Sequence, residues 1–328
     1  MWCDELDRRG FGSLVIGVAA APLTARAQTA GRTYRLGSLH QSPRSAPHHV
    51  AFYEELARLG FVEGQNLIDD PRGYGLRLDE LNTHATELVQ TNVDVIICAG
   101  DACVRAAQRA TTIIPILGAA DDMFESGLVR SLARPEGNTT GFSNFGTELD
   151  GRRQELLIDA VPGIRRMAAL AEADRPSQRR LETLQERARG RGVELSVFRA
   201  PNPEDIAGAI DAAKAAGAAA VNVLSSAVLY SNRNIIMDRA TALRLPAMYR
   251  WPEAVEAGGL IGYGPRLVEL YRDIWARQLV KLLRGAKPAD LPIEQPTRFE
   301  LVVNLKAAQA IGHSFPSDLL ARADKVIE

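Results

Sequence analysis

Cysteine and aromatic residues are scarce in this chain of 328 residues. There are three cysteines, and Cys3 lies inside a predicted signal peptide that is removed, so the two that remain do not make a disulfide framework. We expect the remaining two, Cys98 and Cys103, to be small buried hydrophobic groups, with a local bridge between them as the alternative. Stability must then come from packing rather than from cross-links.

An excess of charge of one sign is also lacking. The sequence carries 39 basic and 40 acidic side chains, so no overall field would gather nucleic acid or anionic lipid. We therefore expect no nucleic-acid partner. Apolar residues make up 46% of the chain and aromatic residues only 6%, which is typical of an α/β protein with Ala-rich helices.

No apolar run is long enough to span a membrane, but the first 27 residues have the pattern of a secretory signal peptide. Arg8 and Arg9 precede the apolar run 14–21, and small residues stand at Ala25 and Ala27. The run is shorter than the ~20 residues of a membrane span, so we expect cleavage near Ala27 and release into the periplasm. The arginine pair resembles a twin-arginine signal, and the general secretory route is the alternative.

After the signal, predicted strands and helices alternate with short loops, and the pattern restarts near residue 149. Repeated strand–helix units imply parallel sheets, because a parallel pair needs a crossover connection. Two such runs predict two α/β lobes, each with a doubly wound parallel sheet. The predicted strands are 34–39, 66–68, 93–98, 113–117, 139–142, 167–171, 193–198, 218–224, 247–249 and 260–264. The longest predicted helix is 267–283, and a further helix is expected to begin near Met123.

Loops after the strands are the predicted binding region. In open parallel sheets, ligands bind beyond the carboxyl ends of the strands, and two facing lobes form a cleft. The predicted ligand-binding residues are His40, Gln41, Ser42, Gly100, Asp101, Asp121, Asp122, Glu172, Asp174, Ser225, Ser226, Tyr249, Arg250 and Trp251.

Two of these loops suggest particular chemistry. Asp121-Asp122 would form a catalytic pair, a counter-charge for a cation or ammonium group, or the acidic cap of the helix near Met123. The segment 249–251 places a guanidinium between two aromatic rings, which suits a planar ligand with a carboxylate, and hinge packing is the alternative. The serine pair 225–226 and the pair 41–42 would bond a solute or serve as loop formers.

Motifs for other chemistry are missing. The segment 141–146 is one residue too long for a nucleophile elbow, and no phosphate-cradling P-loop is present. His40, His48 and His49 lie close in sequence, but cysteine or acidic partners at zinc-site spacing are lacking. We therefore expect His48 and His49 to be a solvated pair, and we predict neither a metal nor a cofactor.

Several segments resemble the substrate-binding proteins of ABC transporters, in the branch that includes tryptophan- and tyrosine-type binders. These segments are 93–97, 114–116, 127–141, 258–264 and, most specifically, 285–305 with the sequence GAKPADLPIEQPTRFELVVNL. The resemblance implies a type I periplasmic-binding-protein fold, in which two lobes joined by a hinge close on a solute. The hinge is crossed three times, near Asn144, Pro252 and Pro292.

The implied domains are a signal peptide at 1–27, a first lobe of 28–144 plus 252–292, and a second lobe of 145–251 plus 293–328. The helix from Leu267 would then belong to the first lobe. Amino-acid-binding members often place an acid in the second lobe against the ligand's ammonium, whereas the loop 225–227 carries none. Glu172 or Asp174 would substitute from the neighbouring strand exit.

The predicted function is that of a monomeric periplasmic solute-binding protein, not an enzyme. It would capture a small organic solute, amino-acid-like or an aromatic carboxylate, in the cleft and deliver it to an inner-membrane ABC permease. Two alternatives remain at this point. One is an exported α/β enzyme with Asp121 or Asp122 as a base, and the other is a solute sensor for a membrane receptor.

Overall fold

Two β-sheets organise the part of the chain that the structure describes, residues 31–172 and 177–328 of a computed structural model. The first sheet has the strand order β2-β1-β3-β4-β5, and its strands pair in parallel. These strands are β1 (Tyr34–Leu39), β2 (Leu67–Asp69), β3 (Val95–Ala99), β4 (Ile116–Ala120) and β5 (Thr139–Ser143).

The second sheet has the order β12-β11-β10-β9-β8-β6-β7. Its strands are β6 (Arg166–Glu172), β7 (Glu194–Ala200), β8 (Val221–Val223), β9 (Ala247–Tyr249), β10 (Ile261–Gly264), β11 (Glu300–Asn304) and β12 (Lys325–Ile327). The pairs are parallel except for β10 with β11. The predicted class of two α/β lobes with parallel sheets is therefore confirmed, with one antiparallel pair added.

Helices connect the strands and cover the sheets. They are α1 (Pro47–Arg58), α2 (Leu81–Gln90), α3 (Asp101–Ala110), α4 (Gly146–Ala160), α5 (Gln178–Gly190), α6 (Asp205–Ala215), α7 (Ala227–Ser231), α8 (Arg233–Ala242), α9 (Pro252–Glu256), α10 (Leu267–Glu269), α11 (Ala276–Leu283), α12 (Leu305–Ile311) and α13 (Ser317–Leu320). Single 3₁₀ turns lie at Pro71–Gly73 and Pro288–Asp290. Within the described residues, no helix is both long enough and apolar enough to cross a bilayer.

The predicted helix over 267–283 is continuous but not uniform. Its middle, Leu270–Trp275, is π-helical and joins α10 to α11. Tyr271 and Trp275 lie in this segment, and both rings pack edge-on against Phe142 of β5 at about 6 Å between centroids. The π turn thus lies where the helix meets the carboxyl end of the first sheet.

Strands β4 and β5 of the first sheet are buried along their whole length. All five residues of each strand are buried, although β5 is the last strand of the sheet and its sequence, TTGFS, is not a continuous apolar run. Gly141 has φ +143°, and a Cβ at this position would lie 1.7 Å from the carbonyl oxygen of Gly118. Glycine is therefore required where β5 runs close beside β4.

The chain crosses between the sheets three times. It passes from β5 to α4 through Asn144 and Phe145, and Phe145 adopts φ +55°. It returns after β10, and it leaves finally after Glu294, whose backbone bonds to both Gly141 and Ser143 of β5 at 2.9 Å. The second crossing was expected near Pro252, and that prediction is wrong. β10 lies beyond Pro252 and pairs with β9 and β11, so this crossing falls between β10 and α10.

Two local predictions fail for identifiable reasons. The fourth strand was expected at 113–117, but the amides of Ile113 and Ile114 bond to the Thr111 hydroxyl at 3.1 Å, and the strand begins only after this turn. The helix expected near Met123 does not form. The amides of residues 128 and 129 both bond to the Met123 carbonyl, so this segment folds back in turns.

The two cysteines are free and buried, as expected for small hydrophobic groups. Burial raises the pKa of both thiols, that of Cys103 to about 12. They are therefore neutral packing groups rather than reactive thiolates.

Candidate binding site

A cavity of about 110 Å³ lies between the carboxyl ends of the strands of the two sheets. A single water needs only ~10–15 Å³ by the same measure, so the space admits a small organic solute. Ten of the predicted site residues line it: Gln41, Ser42, Gly100, Asp101, Asp121, Glu172, Ser225, Ser226, Arg250 and Trp251. They meet because parallel strands end at a common edge of each sheet.

An ion pair crosses this cavity from one sheet to the other. The guanidinium of Arg250, which follows β9, contacts the carboxylate of Asp121, which follows β4. The Arg250 and Asp121 side chains are 8% and 17% exposed, so water screens the pair only weakly. Arg250 also lies 4.4 Å above the ring of Trp251. The guanidinium and the aromatic ring that follow this strand therefore lie against one another.

The first-sheet carboxylates are held by their neighbours. Asp101 begins α3 after Gly100, whose φ of +98° suits glycine. One Asp101 oxygen accepts the backbone amide of Asp121 at 3.3 Å, and the other accepts the hydroxyl of Ser126. The carboxylates at 101 and 121 are therefore fixed beside one another at the ends of adjacent strands.

The second-sheet residues rest on a buried network. Ser226 donates its hydroxyl to Glu172 at 2.7 Å and caps α7 by accepting the Leu229 amide at 3.1 Å. Ser225, the residue before Ser226, belongs to a group of buried or nearly buried side chains that we call the arginine hub: Asp150, Arg153, Arg180 and Ser225. The other three members all contact Asp150.

Apolar and aromatic side chains form much of the remaining wall, and the sequence did not single them out. Phe142, Tyr230, Leu267 and Tyr271 read as core residues in an apolar pattern. Only the folded structure places them beside the cavity, Phe142 near the end of β5 and the other three on helical segments. Asn144 also lines the cavity, and its side-chain oxygen is buried without a hydrogen-bond partner. The sequence could have indicated Asn144 as a cavity residue, because the first hinge crossing was expected near this position.

The histidine cluster, His40, His48 and His49, is buried, so the prediction of a solvated pair at positions 48 and 49 is wrong. The Ser42 hydroxyl bonds to Nε2 of His48 at 3.2 Å and to Nε2 of His49 at 2.8 Å. Burial lowers the pKa of all three, that of His48 to about 3, so the rings are neutral at physiological pH. His48 lines the cavity, whereas His40 lies behind it, stacked on Tyr74 with ring centroids 4.9 Å apart.

Two other predicted residues stand apart from the cavity, and a third is not described. Tyr249 is 4% exposed and packs into the second-sheet core. Asp122 accepts the amides of Phe124 and Glu125 and so caps a turn instead of the expected helix. Asp174 lies outside the described residues.

The described part of the chain contains no group of three or more His, Cys, Asp or Glu side chains arranged to hold a metal ion. Among the residues that the structure describes, the charged groups that line the cavity are carboxylates at 101, 121 and 172 and the guanidinium at 250. What the cavity offers a solute is hydrogen bonding, ion pairing and ring stacking.

The chain forms two α/β lobes and crosses between them three times, and the lobes meet at a cleft beyond the ends of their strands. These features define a type I periplasmic-binding-protein fold. Residues 51–327 match the family described as ABC transporter substrate binding protein. The chain therefore belongs to that family, whose members are binding proteins rather than enzymes.

Comparisons with individual proteins agree with this assignment. The chain is 22% identical over 282 residues to a tyrosine-binding protein of Clostridioides difficile, covering 84% of this chain and 79% of that protein. A Streptococcus pneumoniae ABC domain solved in complex with L-Trp has a TM-score of 0.77 at 22% identity, with 90% of this chain and 100% of that chain covered. A conserved domain protein of Vibrio cholerae has a TM-score of 0.79 at 23% identity, with 90% and 99% covered.

Proposed function

We propose that this chain is the periplasmic solute-binding protein of an ABC importer and that it captures an amino-acid-like or aromatic carboxylate solute. The observation that carries the proposal is the Arg250 guanidinium, which lies over Trp251 and faces carboxylates from the opposite sheet. A guanidinium pairs with a carboxylate through two parallel hydrogen bonds, and an indole stacks on a planar ring. The two groups together suit a solute that carries both features.

The acidic side chains suit the other end of an amino acid. Glu172 from the second sheet and Asp101 from the first both line the cavity. A carboxylate in a partly buried site favours a positive partner such as an ammonium group. Asn144 also lines the cavity and adds a neutral amide group to its wall. Tyr230 and Tyr271 supply aromatic wall for the side chain.

Arg250 is already paired with Asp121 in this structure. A carboxylate solute that binds Arg250 therefore competes with Asp121, and a solute ammonium can compensate the released carboxylate. A zwitterionic solute satisfies both partners at once, whereas a simple carboxylate leaves Asp121 without a counter-charge. The named binding of tyrosine and tryptophan by two similar proteins supports the same class of solute.

The proposal includes export and delivery. The signal pattern in the first 27 residues lies outside the described residues, and cleavage near Ala27 would release the chain to the periplasm. There it would work as a monomer, close its two lobes on the solute and present it to a membrane permease. Cell fractionation with N-terminal sequencing tests this part, and a mature N-terminus at Gln28 is the expected result.

Thermal unfolding with added solutes tests the binding. L-tyrosine, L-tryptophan, phenylacetate and tyramine are each added to the purified chain at rising concentration. A ligand present at one hundred times its Kd adds about 2.7 kcal/mol of stability, which raises the Tm by about 4 °C for a chain of this size. We expect the two amino acids to give larger shifts than the amine or the acid alone. No shift with any of the four would overturn the proposed solute class.

A further inference from the structure

The arginine hub lies directly beneath the second-sheet side of the cleft. Arg153 projects from α4 and is 1% exposed, and Asp150, one helical turn before it, is fully buried. The Arg153 Nη1 donates to Asp150 at 2.7 Å, and Arg180 from α5 contacts the other Asp150 oxygen. Two guanidinium groups therefore share one buried carboxylate.

The Arg153 guanidinium reaches the carboxyl ends of three adjacent strands. Its Nε donates to the carbonyl of Tyr263 in β10 at 2.7 Å, and its Nη1 donates to the Ser225 hydroxyl after β8 at 3.1 Å. Its Nη2 donates to the carbonyl of Arg250 after β9 at 3.5 Å. Each nitrogen of the planar fork thus serves a different strand end.

Two of these strand ends carry groups that line the cavity, Ser225 and Arg250. Asp150 completes the hold on the serine, because it accepts the Ser225 hydroxyl at 3.0 Å and its backbone amide at 3.3 Å. The space around the Arg250 carbonyl is tight, since a Cβ on Gly264 would lie 2.2 Å from that oxygen. The carbonyl is therefore held between β10 and the Arg153 guanidinium.

A lysine cannot make this set of contacts. Its ammonium is one point charge on a flexible stem, whereas arginine presents five donors in a fixed plane. Burial lowers the pKa of Arg153 to about 10. Because this value is still well above 7, the side chain stays charged at neutral pH. All of its donors therefore stay available.

We propose that Arg153 is a positioning residue of the binding site. Its guanidinium holds the ends of β8, β9 and β10 together, so that Ser225 and Arg250 face the cleft in one fixed arrangement. Arg153 does not line the cavity, and its effect on a solute passes through these two residues. The role does not depend on which solute is bound.

Trp251 offers a direct readout, because the Arg250 guanidinium lies over its ring. The full chain is labelled with 5-fluorotryptophan, and its fluorine signals are assigned with Trp251→Phe and Trp275→Phe. Trp275 lies in the first-sheet core and reports whether the protein is folded. We expect Arg153→Lys to shift the Trp251 signal and to leave the Trp275 signal in place.

The matched control is Arg152→Lys, the same change at the adjacent residue, which is half-exposed and pairs with Glu155. This control should move neither signal.

Asp150→Asn is a second test variant. It keeps the side-chain shape and removes the charge that anchors Arg153, and it is expected to shift the Trp251 signal as well.

A folded Arg153→Lys or Asp150→Asn protein with an unmoved Trp251 signal would contradict the proposal. If Arg153→Lys does not fold, Asp150→Asn alone decides the question. If neither variant folds, the hub is a stability element and the positioning role is overturned.

Discussion

The two sides of the cleft are supported by different kinds of interaction. On the first-sheet side, His48 and His49 share the Ser42 hydroxyl, and both rings pack edge-on against Tyr271. On the second-sheet side, the arginine hub holds the strand ends with buried charges. Neutral rings contribute packing with modest directionality, whereas charged hydrogen bonds fix direction and distance. We therefore expect acid to weaken the first side and charge-removing substitutions to weaken the second.

The largest effect is expected from Asp150→Ala, which leaves two guanidinium groups in the hub without their carboxylate. Breaking a buried pair in this way is expected to lower the unfolding free energy by about 3–5 kcal/mol. Urea titration of the variant and the wild type measures this loss. The control is Asp159→Ala. Asp159 also bridges two arginines, Arg191 and Arg322, but at the surface.

Removal of the surface carboxylate should cost about 1 kcal/mol or less, because exposed ion pairs contribute little. Equal losses of unfolding free energy in Asp150→Ala and Asp159→Ala would contradict the view that buried charges support the second-sheet side of the cleft.

Acid should act on the histidine cluster. Burial lowers the pKa of folded His48 to about 3, whereas the unfolded chain titrates near 6.5. Below pH 6.5 the unfolded state therefore binds more protons, and stability falls as the pH drops toward 3. For His48 alone, the loss that has accumulated from pH 8 down to pH 5 is about 2 kcal/mol.

Urea titrations at several pH values measure how steeply the unfolding free energy falls with pH. His48→Asn should make this slope shallower below pH 7, whereas the difference in unfolding free energy between wild type and variant should stay constant above pH 7. The comparison of variant with wild type separates the histidine from the carboxyl groups that titrate in the same range. An unchanged slope in the variant would show that His48 is not a neutral buried group.

A smaller effect is expected on affinity from Arg250→Lys. The lysine keeps the charge but loses the flat fork that lies on Trp251 and binds a carboxylate at two points. Isothermal titration with L-tryptophan or L-tyrosine should show binding about tenfold weaker, equal to about 1.4 kcal/mol. Arg233→Lys is the matched control, because Arg233 lies over Tyr230 but does not line the cavity. A similar loss in both variants would point to a general effect of arginine removal.

The smallest effect is expected from Asp121→Asn. This change removes the charge that competes for Arg250, so phenylacetate, a carboxylate without an ammonium group, should bind about threefold more tightly, or about 0.7 kcal/mol. Asp122→Asn changes the adjacent carboxyl, which only caps a turn, and should leave the titration unchanged. Weaker phenylacetate binding in Asp121→Asn would mean that the aspartate assists rather than opposes carboxylate capture.

The sequence predicted what depends on local periodicity and on strand ends. β1 and β9 have their predicted bounds, and Asp121 and Arg250 were found because each follows an apolar strand. The second crossing was misplaced, since the short, glycine-containing β10 gives no hint of which sheet it joins. That choice is made by long-range pairing with β9 and β11.

The supporting residues of the site were harder to predict. Tyr271 and Tyr230 belong to apolar patterns that fit ordinary core packing, and only the packing of their helices beside the strand ends brings them to the cavity. Asp150 and Arg153 stand in a helix rich in charged residues, where charge normally marks the solvated face. Their burial follows from the ends of three strands that converge on α4, which no local pattern encodes.

The π turn at Leu270–Trp275 has a consequence for the face that the long helix buries. One extra residue in a helix rotates everything beyond it by about 100° relative to an uninterrupted α-helix. Residues spaced four apart drift by about 40° per step around an α-helix, so this rotation brings Leu279 back toward the face of Leu267 and Tyr271. All three residues belong to the core of the first sheet, and Leu267 and Tyr271 also border the solute cavity. A single inserted residue thereby keeps one face of the long helix against the first sheet on both sides of the turn.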